Sequence, residues 1–156
     1  MPEMAMNQDI AHKPALLLVD DDPLIVESLG FMLGQYYHVV TADTRAAARR
    51  LLSAMESCPD IALVDLGLPP LPHKPEEGFE LIKELISNNP AIKILVLSGQ
   101  DNDVNIQHAL TLGAVDFIAK PADPDLLLSR LQHQQRLHAI EIKREKLAEN
   151  QLIGCS

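Results

Sequence analysis

At 156 residues, 47% hydrophobic but only 3% aromatic and without Trp, the chain is long enough for one domain with an aliphatic core and a short appendage. Its net charge of −9 argues against nucleic-acid binding by this segment, and its apolar runs are too short to cross a bilayer. Residues 1–13 carry no apolar signal stretch, and Cys58 and Cys155 make no disulfide framework, so a reducing cytoplasm is the expected location.

In chain order, residues 1–13 read as a flexible N-terminus. Ala15 to Val19 is a short apolar run that stops at Asp20-Asp21-Asp22, the pattern of a buried strand. Pro23 suits the first turn of a helix reaching about Leu33. A second strand is expected at 38–42, and Asp43 or Thr44 can cap the helix after it. Arg45, Arg49 and Arg50 on that helix read as a solvated face rather than a binding patch. The third strand, 61–65, ends at Asp65. The stretch Leu66 to Glu77 holds Pro69, Pro70, Pro72 and Pro75 and is too proline-rich for helix or central strand. Helix is expected at 78–88, strand at 93–98, helix at 103–112 closed by Gly113, and strand at 116–119. A last helix opens at Asp123 or Asp125 and runs to about Asn150. Five β-α units with long crossovers imply parallel strands with helices on both faces, a doubly wound α/β fold.

The last helix is longer than a small α/β domain needs, so its second half should project. Leu126, His133, Ile140 and Leu147 recur every seven residues, alternating with Arg130, Leu137 and Arg144. This imperfect coiled-coil seam predicts a dimer-forming or linker helix over 126–150. His133 and His138 do not share a helix face, and the six histidines show no ligand-like spacing.

Four strands end in a polar group: Asp20-Asp21, Asp65, Ser98 and Lys120. In an open parallel sheet such ends lie together, and ligands bind there. Asp65 is the candidate nucleophile, since a carboxylate can take a phosphoryl group as an acyl phosphate. Asp20 and Asp21 suit Mg²⁺, which prefers carboxylate, water and phosphate oxygens. Lys120 offers a fixed positive charge to phosphoryl oxygens, and Ser98 a hydrogen bond. Pro121 leaves the preceding peptide open to cis or trans.

The segments Leu16-Leu17-Leu18-Val19-Asp20-Asp21-Asp22-Pro23, Ala62-Leu63-Val64-Asp65-Leu66-Gly67-Leu68-Pro69, Val96-Leu97-Ser98-Gly99 and Asp116-Phe117-Ile118-Ala119-Lys120-Pro121 resemble the response-regulator receiver domain. The likeness covers about residues 14–132. It implies a flavodoxin-like (βα)5 fold with a parallel sheet in the order 2-1-3-4-5, here with an extended C-terminal helix. It also implies phosphotransfer from a sensor histidine kinase to Asp65, in a phosphoacceptor that catalyses its own phosphorylation and slow dephosphorylation rather than a classical enzyme. By the same resemblance Asp21, Asp65 and the Gly67 carbonyl ligate Mg²⁺, with Asp20 assisting through water, and Ser98 and Phe117 form the switch pair. Two departures stand out. Gly78 matches a family glycine that usually follows Pro69 more closely, so residues 70–77 are an insertion beside the site. Phe117 replaces the common Tyr.

A charged helix followed by Gln151-Leu152-Ile153-Gly154-Cys155-Ser156 resembles the junction in NtrC-type activators, and the Asp-Leu-Gly-Leu-Pro-Pro loop a subgroup of them linked to exopolysaccharide and protein-sorting genes. This implies that residues 133–156 are a linker helix and the start of a following AAA+ domain, with DNA and sigma-54 polymerase reached through absent downstream domains. Three other readings compete with this one. One is a stand-alone receiver acting by protein binding. Another is a haloacid-dehalogenase-type phosphatase built on Asp20-x-Asp22, where Leu24 breaks the pattern and Asp65 goes unexplained. The third is a flavin carrier, for which a phosphate-cradling first loop and stacking aromatics are lacking.

Overall fold

A computed structural model describes residues 13–154. The expected flexible N-terminus lies outside the described residues except for Lys13, and so do Cys155 and Ser156. The elements are β1 (Ala15–Val19), α1 (Pro23–Leu33), β2 (His38–Ala42), α2 (Arg45–Ala54), β3 (Ile61–Val64), α3 (Glu76–Asn88), β4 (Lys93–Ser98), α4 (Asp103–Leu112), β5 (Asp116–Ala119) and α5 (Pro124–Gly154). The sheet order is β2-β1-β3-β4-β5, as the receiver resemblance implies, and each neighbouring pair is parallel, as the β-α alternation implies.

Alternation along the buried strands divides the core. Leu17, Val19, Ala62, Val64, Ile94 and Val96 face α2, α3 and α4. Leu16, Leu18, Leu63, Leu95 and Leu97 face α1 and α5, meeting Leu33, Leu127 and Leu131. The central strands are closed to solvent on both faces, which is why they read as unbroken apolar runs.

Helix starts follow local chemistry. The Asp22 carboxylate accepts the Leu24 N–H at 3.0 Å with Pro23 in the first turn of α1, and Thr44, not Asp43, caps α2 by accepting the Ala47 N–H at 2.9 Å. Gly113 closes α4 at φ 121°, in the left-handed region that glycine occupies freely.

Three boundaries differ from expectation: α5 continues to Gly154, past the expected end near Asn150, and α3 and β3 differ at one end each. Helix α3 begins at Glu76 rather than 78. Glu76 and Glu77 sit in its first turn, where acids suit the positive helix end, so Gly78 lies inside the helix. A Cβ on Gly78 would collide with the Leu66 backbone, and this close approach is why a glycine stands in a helical turn. Strand β3 ends at Val64, although the Asp65 N–H still donates to the Val19 carbonyl at 2.9 Å. The arginines of α2 are not simply a solvated face. Arg45 pairs with Glu77 at 3.0 Å and Glu84 at 2.6 Å, and Arg49 with Glu84 at 2.6 Å, which ties α2 to α3.

Helix α5 packs through Leu127 and Leu131 and reaches the opposite end of the sheet. There Glu141 meets Lys93 at 2.7 Å, and His138 Nε2 lies 3.4 Å from Asp60. Beyond Ile142, residues 143–151 are exposed. Leu126, Ile140 and Leu147 of the expected seam are 44%, 46% and 53% exposed.

Candidate functional site

Backbone pairing brings the strand ends together. The Asp20 N–H donates to the Ala42 carbonyl at 3.1 Å, the Asp65 N–H to Val19, and the Lys120 N–H to the Ser98 carbonyl at 3.1 Å. Asp20 and Asp65 therefore stand side by side just past β1 and β3, with Ser98 one residue and Lys120 two residues further along β4 and β5, held by ladder hydrogen bonds rather than mobile loops.

The side chains converge. Lys120 Nζ donates to Asp20 Oδ2 at 2.7 Å and to Asp65 Oδ2 at 3.0 Å. Asp20 Oδ1 accepts the Asp22 N–H at 2.9 Å, and Asp65 Oδ1 the Gly67 N–H at 3.3 Å. Asp20 and Asp65 are buried. Oxygens of Asp20, Asp21 and Asp65 lie within 4.8 Å of one another. Three carboxylates against one ammonium leave the pocket net negative. Two such charges 4 Å apart repel by about 4 kcal/mol at an effective dielectric near 20. An all-oxygen, anionic donor set of this size fits a hard divalent cation such as Mg²⁺.

Burial raises the Asp20 carboxyl above its ordinary value of 3.8, against the opposing pull of Lys120. Burial disfavours the Lys120 ammonium too, but its hydrogen bonds and charge contacts with Asp20 and Asp65 win and hold it above 10.5. Lys120 is therefore charged at neutral pH.

Ser98 is fully buried and its Oγ accepts the Gln100 N–H at 3.1 Å. Phe117 is half-buried on the α2-α3-α4 side of the core. Gly67 lies buried two residues beyond Asp65. Asp22 does not join the cluster: its carboxylate caps α1, which removes the second acid of the phosphatase pattern. Lys120–Pro121 is cis. An apolar hollow of about 440 Å³ beside Lys120 is lined by Ile25, Leu29, Leu97, Pro121 and Leu127.

Sequence reasoning missed two contributors. Asn105, buried in α4, donates to the Gln100 carbonyl at 3.2 Å and so fixes the loop after Ser98. The only signal was an asparagine three residues after the cap Asn102. The other is Pro72, whose carbonyl rests against Gly67.

The model of the response regulator receiver domain matches residues 16–132. The chain belongs to that family. This receiver is 32% identical over 121 residues to the transcriptional regulatory protein CreB of Escherichia coli, covering 78% of the chain and 50% of CreB. It is 33% identical over 120 residues to the transcriptional regulatory protein GlrR of the same organism, covering 76% of the chain and 26% of GlrR. The chain thus spans between about a quarter and a half of these relatives' length. Among solved structures it is similar to a Burkholderia pseudomallei response regulator crystallised with a phosphorylated aspartic acid, a calcium ion and citrate. The TM-score is 0.67 at 29% identity, over 88% of this chain and 75% of that one. The chain is therefore the receiver domain of a two-component response regulator, with the family's flavodoxin-like fold. Among the described residues no helix is long and apolar enough to cross a membrane.

Proposed function

We propose that Asp65 accepts a phosphoryl group from a sensor histidine kinase. The observation that carries this is the bridge of Lys120 between Asp20 and Asp65, with Asp21 beside them. An Asp65 carboxylate oxygen attacks phosphorus, the P–N bond of the kinase phosphohistidine breaks, and its electron pair returns to the imidazole, which takes up a proton. Asp21, Asp65 and the Gly67 carbonyl would hold Mg²⁺, with Asp20 assisting through water. Bound there, the ion neutralises the carboxylates and the incoming phosphoryl oxygens. Lys120 turns its ammonium from the two carboxylates to a phosphoryl oxygen, and Ser98 donates its hydroxyl to another. Phe117, against the core beside α4, follows that hydroxyl and changes the surface formed by α4, β5 and α5. The kinase docks over the apolar hollow beside Lys120 and the exposed Leu24 of α1.

In this reading residues 14–132 are the switch and 133–156 a linker helix leading into an AAA+ domain that acts on sigma-54 polymerase at DNA. The exposed stripe of Leu126, Ile140 and Leu147 pairs with a second copy. The tail resemblance and the projecting end of α5 support this context over a stand-alone receiver.

The test is incubation with acetyl phosphate followed by intact mass. The wild type gains one phosphoryl adduct with Mg²⁺ and none with excess chelator, and Asp65→Asn gains none. An adduct of equal yield in Asp65→Asn would overturn the assignment.

A further inference from the structure

The insertion after Pro69 is folded, not slack. The Leu71 N–H donates to the Leu68 carbonyl and the Lys74 N–H to the Leu71 carbonyl, both at 3.0 Å, so two successive turns carry the chain from Leu68 to α3. Pro69, Pro70, Pro72 and Pro75 each fix φ, which leaves little freedom between the turns. Both ends are anchored: Leu66 and Leu68 are fully buried, and the Gly78 N–H donates to the Leu66 carbonyl at 3.1 Å. Residues 70–74 themselves are exposed. Their fold is therefore set by proline and turn geometry rather than by burial in the core.

The inner side of this loop reaches the site. A Cβ on Gly67 would collide with the Pro72 carbonyl oxygen and would stand 3.6 Å from the Gln100 amide nitrogen. The side of Gly67 where a Cβ would stand is thus filled by the loop carbonyl, with the Gln100 side chain in van der Waals reach of the same point. Its N–H is the group that holds Asp65 Oδ1. At 3.3 Å that hydrogen bond is long and depends on how the Gly67 backbone is supported.

We propose that the Pro69–Pro75 loop is a buttress for the phosphoryl-accepting aspartate. Through Pro72 it presses Gly67 onto Asp65 and closes that side of the pocket to water, so the acyl phosphate of this receiver is long-lived. Hydrolysis breaks the phosphorus–oxygen bond to Asp65 as water attacks phosphorus, giving inorganic phosphate and the free carboxylate. A fixed wall lowers the share of time in which water can take up that line of attack. The inference rests on Asp65 being the acceptor. Pro72 is a positioning residue: it touches Gly67, not the reacting atoms.

The experiment uses the whole chain with two loop variants of unchanged length. In one, Leu71 to Lys74 are replaced by glycines; in the other, only Pro72→Gly is made. Each protein is phosphorylated with acetyl phosphate and Mg²⁺, the donor is removed, and first-order loss of the adduct is followed by mass. The four-glycine variant should lose its phosphoryl group about fivefold faster than wild type, and Pro72→Gly about twofold, each a modest change in barrier height. In metal-free protein the Gly67 amide should exchange with solvent faster in both variants, while amides of β1 and β4 keep their protection. Decay and Gly67 exchange like wild type in both variants would overturn the buttress and leave the acceptor assignment standing. A wild type that takes no phosphoryl group would remove both. A four-glycine variant that fails to fold leaves Pro72→Gly to decide on the same two readouts.

Discussion

The two ends of the sheet handle charge in opposite ways. At the C-terminal end, three carboxylates share one ammonium, and Asp20 and Asp65 are buried. At the N-terminal end one cation meets one anion, Lys93 with the half-exposed Glu141, and the Asp60 carboxylate is itself open to solvent. The first arrangement is poor for stability, because buried like charges repel and desolvation is incompletely repaid. The second is neutral bookkeeping that fastens α5 to the body. Under the proposed function, crowded and under-neutralised charge marks the end that takes a cation and an anionic group, and the Lys93–Glu141 pair marks the end that only holds the fold.

Changes at the C-terminal end should separate function from stability. Asp65→Asn should abolish phosphorylation outright and, without metal, raise the melting temperature, since one member of the crowded set is gone. A fall in melting temperature measured in chelator would break the contrast between the ends. Lys120→Ala should slow phosphorylation by about a hundredfold, the scale of losing one stabilising group in a polar site, read as the rate of adduct formation. It should also cost about 3 kcal/mol in denaturant unfolding, because two buried carboxylates lose their counter-charge.

The Lys120 pair sets a pH dependence. Its ammonium is held above 10.5 in the folded protein, so the stability it contributes is complete below that value and disappears as pH rises through the raised one. Unfolding measured from neutral to strongly alkaline pH should show this loss in the wild type and lack it in Lys120→Ala. Saturating Mg²⁺ should stabilise the wild type by about 2.7 kcal/mol at a hundred times its dissociation constant, and Asp21→Asn should lose most of that gain in a thermal melt.

The smallest effect belongs to the other end. Glu141→Gln should cost no more than about 0.5 kcal/mol, since Glu141 is half-exposed and surface pairs contribute little. Adduct formation should be unchanged, and amide exchange should quicken only in α5 from about residue 138 onward.

How far the sequence could be read tracks where the information lies. The strands were legible because they are buried on both faces, and their ends because a polar residue closes each apolar run. That Asp20, Asp65, Ser98 and Lys120 share one end of the sheet follows from parallel pairing alone. The start of α3 was not legible, because the prolines up to Pro75 made the whole stretch to Glu77 read as non-helical, and only the close approach to Leu66 explains a glycine inside the first turn. The pairing of Arg45 and Arg49 with Glu77 and Glu84 depends on how two helices are set side by side, which no local pattern encodes. The contact of Pro72 with Gly67 depends on a loop turning back on itself, and proline content told only what that loop could not be.

The most direct test of the account is where the phosphoryl group goes. The wild type is treated with acetyl phosphate and Mg²⁺, reduced with borohydride so that only an acyl phosphate leaves a permanent mark, digested, and mapped by tandem mass spectrometry. A single mark at position 65 is expected. A mark at Asp20, Asp21 or any other carboxylate, or none at all, would contradict it.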